Sequence, residues 1–490
     1  MAHFRAASWW WTNRCPPPPE LVKSGILPEG KQPPLYYALM GCVISTLNGW
    51  EAGAKLESNP EFREGATSKS AAIYRHRPHL WTDFIADAKF HAIRVSSAFL
   101  LAFSGLFLFG GLRRLSPKYP ILAFGLTSAW LALPVVSFSG AIINNDSLAM
   151  FLGIFSFWLT VRYASGRLSL QGCAGLGAIA GLAVWAKVST LFCLIFPALT
   201  LLAVSRDSRD RVRRLLIAAA AGLIVASPIL LYNTVLYGSP GGYRSDAAMG
   251  GAGLSAFLYH IGRSLVRTAE SFVGLVGQAN VSAPGYATLF FSLFFVFVVI
   301  GIVAGKRQPE SQYLAGFTVA AAFAFGIQLI AGFVWFAGTV TAMTARLFLN
   351  LGGPIMIIAL WGLLPFYTNH WSPHRLRHVV QGSVVLMLIA LVGFFVAPLA
   401  VPYLASQAYG ANAPAYAANY YIEQATKAFL LIGALAVGTG LIALWVRKRS
   451  GITGRRELRA AFVWAGIFGL ILSNQVILWA FVMPTYYQSL

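Results

Sequence analysis

The sequence predicts an all-α polytopic integral membrane protein, and three observations carry that expectation. Of 490 residues, 57% are hydrophobic and only 11% charged, against roughly 25% charged in soluble domains. Apolar runs approaching the roughly 20 residues needed to cross a bilayer recur almost to the end of the chain. The connections between them are short and polar, so one membrane domain is expected where a soluble chain of this length would divide into roughly two to four.

Residues 1–91 are expected as an outer loop region carrying interfacial helices, followed by a transmembrane helical domain over residues 92–490. The opening Trp9-Trp10-Trp11 and the prolines Pro16 to Pro19 do not form the basic start and apolar core of a signal peptide. The run from Pro33 to Trp50 is apolar but contains Asn48 and a Pro-Pro start. It reads as an interfacial helix, with a full span as the alternative. The segment from Glu51 to Lys89 is polar with charges of both signs, as expected of a loop with short helices on the membrane face.

Twelve spans are expected from residue 92 onward, at 92–112, 119–138, 146–163, 168–186, 189–204, 215–235, 286–304, 312–335, 347–367, 378–399, 428–446 and 460–482. Outer loops at 238–285 and 400–426 interrupt them. Within the first, the stretch 254–276 is partly amphipathic with Arg263 and Arg267 on its polar side, which suits a helix lying along the interface.

Basic residues set the orientation, because Lys and Arg are retained on the inner side of short loops. The alternate connections around Arg113/Arg114/Lys118, Arg162/Arg167, Arg206 to Arg214, Lys306/Arg307, Arg375/Arg377 and Arg447 to Arg459 hold 20 of the 37 basic and four of the 16 acidic residues. The remaining 17 basic and 12 acidic residues are spread over a much greater length. Both ends of the chain, and the loops just named, are therefore expected on the outer side of a cell (inner or plasma) membrane. The formal charge of +21 thus has a topological origin. No basic segment carries the interleaved aromatics of a base-stacking surface, so a nucleic-acid partner is not expected.

Ionisable residues that interrupt apolar runs are costly and often functional. Asp146, in Asn144-Asn145-Asp146 at the entrance to the third span, reads either as a group facing a water-filled cavity or as a helix cap. Lys187 follows an apolar helix at its outer end, and Arg346 begins another span at the same depth. Each is suited to a phosphate, with snorkelling or head-group anchoring as the ordinary alternative. Glu270 has Arg267 at helical spacing and pairing is expected. The histidines of Arg75-His76-Arg77-Pro78-His79 have no acidic company and read as a solvated loop. Four cysteines, Cys15, Cys42, Cys173 and Cys193, show no metal spacing. No nucleotide loop or catalytic triad is present. No metal site or cofactor is assigned, and a divalent metal stays open.

Several short motifs, taken in order, resemble the GT-C class of membrane glycosyltransferases, the group that includes protein O-mannosyltransferase-like and aminoarabinose-transferase-like enzymes. They are Lys31-Gln32-Pro33-Pro34-Leu35-Tyr36-Tyr37, Arg94-Val95-Ser96-Ser97-Ala98, Asn145-Asp146, Ala186-Lys187, Asn233 to Pro240, Ser271 to Gly277 and Ala345-Arg346. Tyr232, where an arginine is common in the class, and Leu347, where a tyrosine often follows the arginine, depart from the pattern. The resemblance implies transfer of a sugar from a polyprenyl-phosphate carrier to an acceptor lipid, protein or polysaccharide on the outer face. It implies Lys187 and Arg346 as donor-phosphate groups, and Tyr36, Tyr37, Asn145 and Glu270 as residues lining the substrate site. Met1-Ala2-His3-Phe4 resembles the end of the family's Asp-Glu-x-Ala-His-Phe motif. The expectation is then that the acidic catalytic pair lies upstream of Met1, that the chain is a fragment inactive as it stands, and that His3 and Asp146 are the remaining catalytic candidates. The alternative is a non-enzymatic transporter or flippase of lipid-linked sugar.

Overall fold

Prolines open several of the helices and small residues decide how closely they pack. The computed structural model describes residues 2–24, 26–47, 57–58, 74–75, 88–164, 169–204, 208–240, 254–273, 275–276, 281–282, 285–305, 312–336 and 343–368. The expected spans at 378–399, 428–446 and 460–482, the loop 400–426, and His76 and His79 lie outside them. The described residues are helical apart from two antiparallel pairings of two-residue strands, β1 (Glu57–Ser58) with β2 (Tyr74–Arg75) and β3 (Leu275–Val276) with β4 (Val281–Ser282). The chain is an all-α polytopic membrane protein.

Three short helices come first: α1 (Ala2–Asn13), α2 (Pro19–Lys23) and α3 (Leu35–Ser45), with a 3-10 turn at Pro28–Lys31. Pro19 and Pro28 occupy first-turn positions, where a missing amide costs nothing. At 11 residues, α3 is about 16 Å long, half of what the roughly 30 Å hydrocarbon core requires. The described part of Pro33–Trp50 is therefore too short to be a span. Tyr36, Tyr37, Met40 and Ile44 of α3 are buried against Ala6 and Ala7 of α1, with Phe4, Trp10 and Trp11 packed around them.

The remaining helices follow as α4 (Ala88–Leu115), α5 (Pro120–Ala132), α6 (Pro134–Ala141), α7 (Asp146–Ala164), α8 (Leu170–Val184), α9 (Ile195–Val204), α10 (Ser208–Tyr237), α11 (Leu254–Val273), α12 (Gly285–Ala304), α13 (Gln312–Phe336) and α14 (Gly352–Thr368). All nine apolar runs expected between residues 92 and 367 fall on helical segments. Among the described residues, Ala92–Leu115, Asp146–Ala164, Val212–Tyr237, Leu314–Val334 and Ala345–Thr368 are long and apolar enough to cross a membrane. The runs at 168–186, 189–204 and 286–304 give shorter apolar segments.

The run 119–138, expected as one span, is instead α5 and α6 bent by 63°. Pro134 supplies the cause: it lacks an amide donor, and its ring drives the preceding residue out of the helical region. Leu133 accordingly sits at φ −53°, ψ 129°.

The main core is built from facing apolar side chains such as Leu112, Trp130, Phe157, Phe317, Phe348 and Leu360. Away from it, α10 turns Leu216, Leu223, Ile224, Leu231 and Val235 outward. An exposed apolar stripe on a helix with a buried opposite side is what a lipid solvent selects. Ser169 caps α8, its hydroxyl accepting from the Gly172 amide at 3.1 Å.

Candidate functional site

Asp146 begins α7 with 1% of its surface exposed. A carboxylate so buried is tolerated only when paired and hydrogen-bonded. Its Oδ1 meets Lys187 Nζ, and its Oδ2 accepts from Arg346 Nε at 2.7 Å and from Asn144 Nδ2 at 2.8 Å. The helix start is capped by its neighbour, since Asn144 Oδ1 accepts from the Asp146 amide at 3.1 Å. Asn144 therefore does the capping, which leaves both Asp146 oxygens for the cations.

Each partner arrives from a different element. Lys187 lies past the end of α8, between that helix and a 3-10 segment at Val188–Leu194. Arg346 stands in a second 3-10 segment, Ala345–Leu351, which leads into α14. The two cationic side chains are each 22% exposed, so both reach the edge of the site while the carboxylate stays beneath them.

Close backbone approach makes this possible. Asp146 and Gly153 are seven residues apart, on one face of α7, and Arg346 and Asn350 are four apart on the segment opposite. A Cβ added at Gly153 would lie 2.9 Å from Asn350 Cα. Glycine at 153 thus lets the Ala345–Leu351 segment lie against α7 with its arginine over Asp146. On its other side, α11 holds the approach to Arg346. Thr268 Oγ1 donates to the Met343 carbonyl at 3.2 Å, and Ser271 Oγ accepts from the Ala345 amide at 2.7 Å.

Other residues expected at the site converge here as well. Tyr36 OH accepts from the Asn144 amide at 3.0 Å and shares a hydrogen bond with Ser97 Oγ at 3.1 Å. Asn145 Nδ2 donates to the Ala186 carbonyl at 3.0 Å and to Gln32 Oε1 at 3.4 Å, and the Leu35 amide donates to the Trp185 carbonyl. The Lys31–Tyr37 motif is thereby stitched to the Ala186-Lys187 motif. Arg94 braces the floor through Nε to the Ala141 carbonyl at 3.0 Å.

His3 Nδ1 and the Tyr37 hydroxyl are hydrogen-bonded at 2.8 Å. His3 Nδ1 also lies 3.9 Å from Glu29 Oε2. Burial lowers the His3 pKa from its usual range, outweighing the Glu29 carboxylate that favours the charged ring. Burial likewise pushes the Tyr37 phenol well above its ordinary value. The charges of Asp146 and Arg346 are felt at both His3 and Tyr37, which puts the His3 group and the Asp146 cluster in one electrostatic neighbourhood.

Glu270 sits on α11, with Oε2 3.9 Å from Arg267 Nη1 as helical spacing suggested. Its helix reaches the site through Thr268 and Ser271. The residue that sequence reasoning passed over is Glu29. It lies in the polar Pro28–Lys31 turn and interrupts no apolar run, so the search for charges at membrane depth had nothing to find there. Among the described residues, no group of three or more His, Cys, Asp or Glu side chains is placed to hold a metal ion. All four cysteines are free, Cys15 and Cys42 exposed and Cys173 and Cys193 buried.

No family model matches the chain, and no curated protein matches it. Two crystal structures of ArnT from Cupriavidus metallidurans are similar at low scores. The one bound to undecaprenyl phosphate is 13% identical over 91% of this chain and 68% of its own, with a TM-score of 0.39. The apo structure is 15% identical over 90% and 76%, with a TM-score of 0.35. Likeness at this level carries no argument about fold or activity.

Proposed function

We propose that this protein is a membrane glycosyltransferase of the GT-C type, moving a sugar from a polyprenyl-phosphate carrier to an acceptor at the outer membrane face. The observation that supports this reading is the pairing of two cations on one buried carboxylate at the start of α7. Asp146 can neutralise only one of Lys187 and Arg346, so the three side chains together keep a positive charge. Arg346 spends its Nε on Asp146, and its terminal nitrogens belong to the planar fork that suits phosphate oxygens.

The chemistry follows from that placement. Breaking the bond between the anomeric carbon and the phosphate oxygen leaves an electron pair on the phosphate. Preorganised cations aimed at that oxygen lower the barrier most where water is scarce. Asp146 acts beneath them by holding both cations in place against their mutual repulsion. A lipid-linked donor reaches the site laterally from the bilayer, and the apolar outer faces of the spans keep the protein there.

The test compares undecaprenyl phosphate with undecaprenol for binding to the purified protein in lipid nanodiscs, by native mass spectrometry. It is followed by sugar transfer from undecaprenyl-phosphate-linked hexoses and aminopentoses. Preference for the phosphate is expected, and Lys187→Ala or Arg346→Ala should each weaken it about 10- to 100-fold, the worth of a charge-assisted hydrogen bond. Equal affinity for the alcohol and the phosphate would remove the donor-phosphate site. Movement of the lipid-linked sugar across vesicles without any transfer would instead establish the carrier alternative.

A further inference from the structure

Among the described residues, Glu29 is a carboxylate beside this site that donor binding leaves unused. Pro28 opens its turn, and Gly30 packs the turn against α2: a Cβ there would stand 2.8 Å from Val22 Cγ2 and 2.9 Å from Pro17 Cγ. The Gln32 amide closes the turn on the Glu29 carbonyl at 3.0 Å. The backbone that carries Glu29 is therefore held by contacts that leave its side chain directed to His3, 3.9 Å away. The Glu29 side chain is 23% exposed and that of His3 20% exposed, so both are partly shielded from water while still accessible. Its charge is felt at both Tyr37 and Arg346.

We propose that Glu29, aligned by His3 and Tyr37, is the proton-accepting group of the site, and that the acceptor it serves is a neutral hydroxyl. This rests on the transferase reading. In the step, the hydroxyl oxygen forms a bond to the anomeric carbon while the carbon–oxygen bond to the phosphate breaks, its electron pair leaving with the polyprenyl phosphate. The hydroxyl proton passes to Glu29 and is later released to the phosphate product or to water, so the carboxylate is regenerated. A phosphate or carboxylate acceptor needs no base and would be repelled by Glu29. A hydroxyl needs one, because its nucleophilicity develops only as its proton leaves. The charge pattern thus divides the site into a cationic donor side at Lys187 and Arg346 and an anionic acceptor side at Glu29.

The experiment measures transfer from an undecaprenyl-phosphate-linked sugar to 1-butanol and to azide, using the full chain in nanodiscs. Glu29→Gln should bind undecaprenyl phosphate as the wild type does and lose about 10²- to 10⁴-fold in transfer to butanol, the usual worth of a general base. Azide, an anionic nucleophile that needs no deprotonation, should restore product formation in Glu29→Gln, as the glycosyl azide. Glu29→Asp should keep a measurable part of the butanol activity. Wild-type butanol transfer by Glu29→Gln would overturn the proposal. So would equal losses with butanol and azide, or loss of undecaprenyl phosphate binding, since both assign Glu29 a structural role. A wild-type protein that binds undecaprenyl phosphate but transfers sugar to neither nucleophile would overturn Glu29 as the base; one that also fails to prefer undecaprenyl phosphate over undecaprenol would instead fail the transferase reading itself.

Discussion

Asp146 is the residue on which the site turns, and its environment states what its removal should do. A buried charge that loses its partner is destabilised far more than a pair replaced by apolar groups, because desolvation is no longer offset. Asp146→Asn leaves Lys187 and Arg346 facing each other across an uncharged amide. Both cations retain some contact with water, so the expected loss lies at the low end of the range for broken buried pairs, about 3 kcal/mol. Thermal unfolding in detergent should show it. Adding Lys187→Met to Asp146→Asn should recover part of the loss, since only one cation then stays beside the amide. A double variant no more stable than the single would mean that the cations do not repel each other there. In one dimension, Asp146, Lys187 and Arg346 were each legible as charges interrupting apolar runs. Their convergence was not, because 41 and 200 residues separate the pairs and no helical or strand period links them. Its place at a helix start suits a cap or a catalytic group alike; in the fold, the Asn144 side chain accepts from the first helical amide and Asp146 holds the cations.

At the scale of elements, hydropathy found the helices but not their bends. Pro134 stood in view within the run 119–138, yet a window that scores only apolarity passes over the amide it lacks. The same scoring missed the 3-10 segments at Val188–Leu194 and Ala345–Leu351, which carry the backbone away from Lys187 and around Arg346. Packing between α7 and the latter segment depends on Gly153. Gly153→Ala would place a methyl group against the Asn350 backbone, where neither side can rotate away. Overpacking of this kind costs about 1–3 kcal/mol, and it pushes Arg346 off Asp146. Gly326→Ala on α13 is the control, with nothing within 4 Å of its Cβ, and should be neutral or gain about 0.5–1 kcal/mol from reduced chain entropy. Melting temperature and undecaprenyl phosphate affinity should both fall in Gly153→Ala, and neither in Gly326→Ala. Unchanged affinity in a destabilised Gly153→Ala would mean that the segment's seating does not set the arginine.

Across the whole molecule, the site and the arginines Arg114 and Arg162 lie at opposite ends of α4 and α7. Near the start of α4, Arg94 bonds to the carbonyl of Ala141 just ahead of α7. Near the end of α4, Arg114 lies 5.8 Å from the ring centre of Trp158 on α7, and Arg162 lies 5.2 Å from it. The two helices therefore run side by side in the same direction, with Asp146 at one end of α7 and the Arg114–Trp158–Arg162 cluster towards the other. The 19 residues of α7 span about 28 Å at 1.5 Å per residue, close to the thickness of the hydrocarbon core. Positive loops are retained inside, so the arginine end should face the cytoplasm and the Asp146 end the outside. Cys15 and Cys42 are exposed on the N-terminal elements at the Asp146 end, while Cys173 and Cys193 are buried. A membrane-impermeant maleimide applied to intact cells should therefore label the protein, and Cys15→Ser with Cys42→Ser should abolish the label. Labelling that appears only after the membrane is permeabilised would invert the orientation. The donor phosphate would then be met on the cytoplasmic face, and the basic loops would have crossed the membrane against the charge bias.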